Sequence, residues 1–201
     1  MQIVNKVLIL LLATASVFTV SCNQKTADES DTASDTAKVA TEVEEKPVIA
    51  SPRKQAAGQI GDVNVVIDYG SPGVKGRKIW GGLESYGAVW RAGANETTSI
   101  EFSQDVTIGD KTVPAGKYGF YIIPKENENW VAVINTDWNR EKHGAWGAYN
   151  YTPDHDIVRV EVSPEWVEES EERLKYVVSE NAIHFAWEKV RLTIPVEPTE
   201  Q

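Results

Sequence analysis

The chain has one cysteine, one methionine, three histidines and no surplus of basic residues. Each shortage closes a class of explanation. With Cys22 alone, no intramolecular disulfide can form, so the fold rests on its hydrophobic core. The three histidines, His143, His155 and His184, show no H-E-x-x-H or H-x-E-x-H spacing. The run Asp154-His155-Asp156 is a poor ligand set, because three consecutive strand residues cannot all point at one ion. No metal site and no cofactor are expected. The G-x-S-x-G elbow, the phosphate-binding P-loop and C-x-x-C are all missing, and the many carboxylates form no marked pair for glycoside hydrolysis. Twenty Lys and Arg stand against 30 Asp and Glu, for a formal net charge of −10. Nucleic-acid binding is driven by clustered cations, so no nucleic-acid partner is expected. The apolar run from Val7 to Val20 is shorter than the ~20 residues a membrane-spanning helix needs.

What is present begins with that run. Lys6 precedes it and Ser21-Cys22 follows it, so residues 1–21 read as a secretory signal peptide. Val20-Ser21-Cys22 resembles a bacterial lipoprotein lipobox, with Thr19 where Leu is usual. The resemblance implies that Cys22 becomes the acylated first residue of the mature chain, with the membrane as a partner through that lipid. The alternative is a plain secretory signal beside a chance cysteine. Two or three acyl chains anchor durably where one is marginal. Residues 22–50 read as the lipidated cysteine and a disordered acidic tether. From Asn23 to Ala50 the segment has seven acidic and three basic side chains and no aromatic residue, so it cannot bury enough apolar surface to order itself. Asn23, rather than Asp, argues against retention in the inner membrane. The expected location is therefore the outer membrane, exported and lipid-anchored, facing the periplasm or the cell surface.

Residues 51–201 read as a single β-sandwich domain. Val63-Asn-Val-Val-Ile-Asp-Tyr69 and Thr97 to Ser103 alternate like half-buried strands. Asp105 to Val113 forms a hairpin around Gly109-Asp-Lys111. Lys117 to Ile123 is apolar on both faces, as a central strand would be. Trp130 to Ile134, Ile157 to Val162 and Arg173 to Ser179 are further strands. Pro164 to Glu172 reads either as a short helix or as a charged edge strand. Ile183 to Trp187 and Val190 to Val196 are expected as a hairpin around Glu188-Lys189. Short strands, frequent turns and scarce helical periodicity predict an all-β, antiparallel two-layer β-sandwich with at most one short helix. A partly open barrel is the alternative topology.

Two segments carry candidate binding chemistry. Arg91, Asn95 and Glu96 bring a bidentate donor, an amide and a carboxylate within six positions of a glycine-bearing loop. Their structural alternative is an Arg91–Glu96 pair that pins the loop. The long loop from Asn135 to Pro153 holds His143-Gly-Ala-Trp-Gly-Ala-Tyr149. Its glycines keep the backbone thin while Trp146 and Tyr149 project, a layout suited to stacking on a sugar ring. His143 is a candidate proton carrier. The structural alternative is an aromatic loop that closes the end of the sandwich.

Three stretches carry a family resemblance: Y-G-S-P-G-V-K-G-R-K-I-W-G-G-L from Tyr69, Y-G-A-V-W-R-A-G-A-N-E-T from Tyr86, and Pro114 to Pro124. With Trp187-Glu188-Lys189 near the end, these resemble the bacterial family catalogued as domain of unknown function 2911, from Ser51 to about Pro195. The resemblance implies a β-rich exported or lipid-anchored domain and supplies no catalytic residues. The sequence thus supports a ligand- or partner-binding module of the cell envelope, for a small molecule, a glycan or an envelope protein. An envelope hydrolase using Glu96 or His143 as acid or base is one alternative. A structural lipoprotein is the other.

Overall fold

The computed structural model describes residues 50–199. The signal peptide, Cys22 and nearly all of the acidic tether lie outside them. Strand β1 (Arg53–Ile60) turns at Gly61-Asp62 into β2 (Val63–Gly70), and the two pair in register from Arg53↔Gly70 to Ile60↔Val63. The sequence reading missed β1 because only its last residue, Ile60, is buried. A strand that buries so little leaves no period-2 apolar signal.

β3 (Ser99–Phe102), β6 (Gly116–Ile123), β7 (Trp130–Asn135) and β8 (Asp156–Val162) complete a six-stranded antiparallel sheet in the order β1-β2-β3-β6-β7-β8. β6 lies between β3 and β7 and is buried from Tyr118 to Ile123, as its unbroken apolar run predicts. Its alternate residues serve different packing regions. Phe120 and Ile122 enter the main core, while Tyr121 and Ile123 join Val133 in a small cluster on the opposite face.

The second layer is a long ribbon of β9 (Glu165–Val178) and β10 (Ala182–Pro195). The ambiguous Pro164 to Glu172 stretch is therefore strand from Glu165 onward. The hairpin expected around Glu188-Lys189 is not formed, and β10 runs straight through. At Glu188 the pairing with β9 shifts register and φ is +52°. Lys189 N–H donates to Glu188 Oε2 at 2.6 Å, and the Arg191 guanidinium donates to the Glu188 carbonyl at 3.0 Å. The polar dipeptide marks a bulge, which has turn-like residues but keeps the chain direction.

Aromatic contacts tie the layers together. Tyr176 of β9 packs edge-on against Tyr69 at 4.8 Å and Phe120 at 6.0 Å. Trp80, Trp90, Trp130 and Trp187 form one buried group: Trp80 lies 4.6 Å from Trp130 and 5.6 Å from Trp187, which stacks on Trp90 at 5.5 Å. Such rings bury large areas and prefer offset or edge-on geometry. A small three-stranded sheet of β4 (Val106–Ile108), β5 (Lys111–Val113) and β11 (Glu197–Pro198) adds to the main core through Val106, Ile108 and Val113. The only helices among the described residues are one four-residue turn, α1 (Arg140–His143), and a 3-10 turn, Pro153–His155. The result is an all-β sandwich with no closed barrel.

Candidate functional site

The outer face of the large sheet is crossed by residues 136–153, the long loop of the sequence reading. Close approach is possible because β6 presents a glycine there. A Cβ on Gly119 would lie 2.4 Å from the Asp137 carbonyl oxygen and 2.9 Å from the Tyr121 ring. The Tyr121 hydroxyl donates to the same carbonyl at 3.3 Å. Buried Asn135 organises both ends of the loop. Its amide donates to the Thr152 carbonyl at 3.0 Å and to Asp156 Oδ1 at 2.7 Å, and its carbonyl accepts from Asp137 N–H at 2.8 Å. Asp137 Oδ2 lies 2.7 Å from His155 Nδ1, and the Tyr151 hydroxyl donates to Asp156 Oδ2 at 2.5 Å. Burial and the neighbouring Asp156 carboxylate push the Tyr151 phenol well above its ordinary range. These bonds hold the loop as a fixed roof.

Within the loop, α1 is short but fully capped. Asn139 accepts from Lys142 N–H at 2.9 Å, and Gly144 ends the turn at φ +73°. His143 Nδ1 accepts from the Trp138 and Asn139 N–H groups at 3.2 and 3.3 Å. Its ring therefore serves the turn.

The two candidate segments meet at Gly147. The Thr97 hydroxyl donates to the Gly147 carbonyl at 2.9 Å. A Cβ on Gly147 would lie 2.9 Å from Arg91 Cδ and 3.0 Å from the Asn95 carbonyl oxygen. Arg91 is thus packed beneath the loop, and its Nε is buried without a hydrogen-bond partner among the described residues. The Arg91–Glu96 pair does not form. Glu96 instead faces Arg53 at 3.5 Å, and Arg53 also pairs with Asp68. The charges acting on Arg91's surroundings include Glu84, whose half-buried carboxyl is pushed up to about 7 by burial, against the pull of Arg91 and Arg77.

Between roof and sheet lies a cleft of about 420 Å³. Asp68, Ser99 and Lys117 line it from the outward positions of β2, β3 and β6. Arg53, Glu96 and Thr97 form one end, and Trp138, Arg140, Glu141 and Trp146 descend from the loop. Glu96 and Trp146 are therefore brought into one site. Arg91, Asn95, His143 and Tyr149 are not on its wall; Tyr149 is 72% exposed and pairs through its backbone with Trp146. Arg53, Asp68, Lys117 and Arg140 were missed. Strand alternation marks Asp68 and Lys117 as outward, but only the pairing of distant strands sets them side by side.

Two ring faces in the cleft are taken by cations. Lys117 Nζ lies 4.7 Å from the Trp138 ring centre, and Lys142 Nζ lies 5.6 Å from it. The Arg140 guanidinium lies 5.1 Å from the Trp146 ring centre. Such contacts are worth about 0.5–1 kcal/mol at exposed sites, so they yield readily to a better partner.

A larger groove of about 820 Å³ lies between Tyr86, Trp166 and the Lys125–Asn129 turn. Its walls are largely an exposed turn whose Lys125 is already paired with Glu128 at 3.3 Å. The smaller cleft has the firmer frame, because a hydrogen-bonded loop roofs it. Among the described residues, no group of three or more His, Cys, Asp or Glu could hold a metal ion, and no helix is long and apolar enough to cross a membrane.

A family model described as "Protein of unknown function (DUF2911)" matches residues 51–196. The chain belongs to this family. The match begins at the residue before Pro52, just ahead of β1, and ends one residue after β10, so the family unit contains both sandwich layers and the whole cleft. No curated protein and no solved structure matches the chain.

Proposed function

We propose that this family member is a lipid-anchored protein of the cell envelope whose domain binds a small polar ligand or glycan in the cleft under the 136–153 loop. The observation that carries the reading is the meeting of two segments far apart in sequence. Glu96 and Thr97 from one, and Trp138 to Trp146 from the other, wall a single concave site. Concave sites with a few convergent polar groups and aromatic walls are the usual form of ligand pockets. The signal-like residues 1–21, Cys22 and the acidic segment that follows supply the envelope part of the proposal.

The binding reading is preferred to hydrolysis on two grounds. Glu96 is engaged by Arg53 and about half exposed, and His143 Nδ1 is occupied by two backbone N–H groups. A general base must reach its substrate, whereas His143 lies off the cleft wall and Glu96 is held by Arg53 in an ion pair.

The test is thermal melting of the Cys22→Ser chain with envelope glycans, nucleotides and organic acids. A ligand that binds only the folded state raises the melting temperature. A reproducible rise that disappears in Trp146→Ala supports the reading. A flat response across all three classes overturns it. Membrane fractionation of the parent and Cys22→Ser chains tests the anchor: only the parent should pellet with membranes.

A further inference from the structure

The cleft is divided electrostatically, and from that division we infer the class of its ligand: a hydroxyl-rich anion, an acidic saccharide whose carboxylate is held by Lys117 and Arg140. This inference rests on the ligand-binding reading of the same cleft.

At the sheet end the cation is already consumed. Arg53 Nε donates to the Asp68 carboxylate, its NH2 group donates to the Asp68 and Thr97 carbonyls at 3.2 and 3.3 Å, and its NH1 group faces Glu96 at 3.5 Å. One guanidinium thus serves two carboxylates. The remaining lone pairs of Asp68 and Glu96 can only accept, and uncharged donors suit them without adding charge; hydroxyl groups are the ones a saccharide supplies in number.

Toward Trp138 and Trp146 the cations remain available. Among the described residues, neither Lys117, Arg140 nor Lys142 comes within 4.0 Å of a carboxylate oxygen. Glu101 sits opposite Lys117 across the β3–β6 ladder, yet Lys117 extends over Trp138 instead. Glu141 shares this wall and forms no ion pair among the described residues, but the two cations that line it, Lys117 and Arg140, outnumber it. A carboxylate offers Lys117 and Arg140 charge-assisted hydrogen bonds, which are stronger than contact with an indole face. Moving Arg140 onto the ligand also uncovers the face of Trp146, where the C–H face of a pyranose ring can pack. The molecule as a whole is acidic and repels anions at a distance, so recognition depends on this local arrangement.

The test is calorimetric titration of the Cys22→Ser chain with tetragalacturonate and with its fully methyl-esterified form. Both are repeated on Lys117→Met, Arg140→Gln and Lys117→Arg, with near-ultraviolet circular dichroism to verify each fold. We expect the acid to bind, the ester to bind about tenfold more weakly, Lys117→Met and Arg140→Gln each to lose about tenfold for the acid only, and Lys117→Arg to retain binding. Equal affinity for acid and ester, unchanged in Lys117→Met, overturns the anion inference and leaves the cleft as a neutral-glycan site. Failure of both probes overturns the acidic-saccharide class. The broader reading falls only if the glycan, nucleotide and organic-acid melts are also flat.

Discussion

Gly119 and Glu84 show how single residues shape the site. Gly119 has no special backbone geometry to serve. Its role is space, because the Asp137 carbonyl occupies the place a Cβ would take. Gly119→Ala must push the loop off the sheet, and overpacking of this kind costs about 1–3 kcal/mol. Urea denaturation should register that loss, and ligand affinity should fall with it. Glu84 acts through protonation. Its carboxyl releases its proton near 4.5 when unfolded and at about 7 when folded. The folded state therefore holds more protons between these values, and stability falls as pH rises from 4.5 through 7. Glu84→Gln should match the parent at pH 4 and exceed it at pH 8 by about 2 kcal/mol, a figure reduced to allow for solvent screening at a half-buried site. Equal pH–stability curves for the two chains would sink this assignment.

At the scale of the element, β10 depends on a local break in its own geometry. Glu188 sits at φ +52°, in the left-handed region that β-branched residues avoid. Glu188→Val should destabilise the domain by about 1–2 kcal/mol although valine favours strands, whereas Glu188→Gly should change it little; chemical denaturation of both variants decides the point. The same position shows what the sequence could express. Val63 to Tyr69, Lys117 to Ile123 and Ile157 to Val162 were legible because their burial alternates or is continuous. β1 was not, because it is held by backbone pairing to β2 and buries almost nothing itself. The Glu188-Lys189 pair has turn chemistry, and no local signal separates a bulge from a hairpin. In the site, Glu96, Trp146 and the loop were legible as loop chemistry. Arg53 and Lys117 were not, since their meeting depends on the order of strands in the sheet.

The whole domain is held by noncovalent packing alone. One buried cluster runs from Ile60 to Val196 and includes residues of both layers. Far-ultraviolet circular dichroism and indole emission should therefore report a single coincident thermal transition. That transition should be unmoved by reductant, since Cys22 has no partner in the chain. A shift on adding reductant would point to a disulfide between molecules.

The placement of the seven tryptophans carries one more consequence. Trp80, Trp90, Trp130 and Trp187 are packed within the core, close enough for their excited states to couple, whereas Trp138 and Trp146 line the cleft beside cations. Trp166, exposed beside the larger groove, belongs to neither group, so in a Trp166→Phe chain the other six form two optical reporters. The buried group, emitting toward the blue, signals loss of the core; the cleft pair, emitting further to the red and sensitive to Lys117 and Arg140, would signal occupancy of the proposed site without any added label.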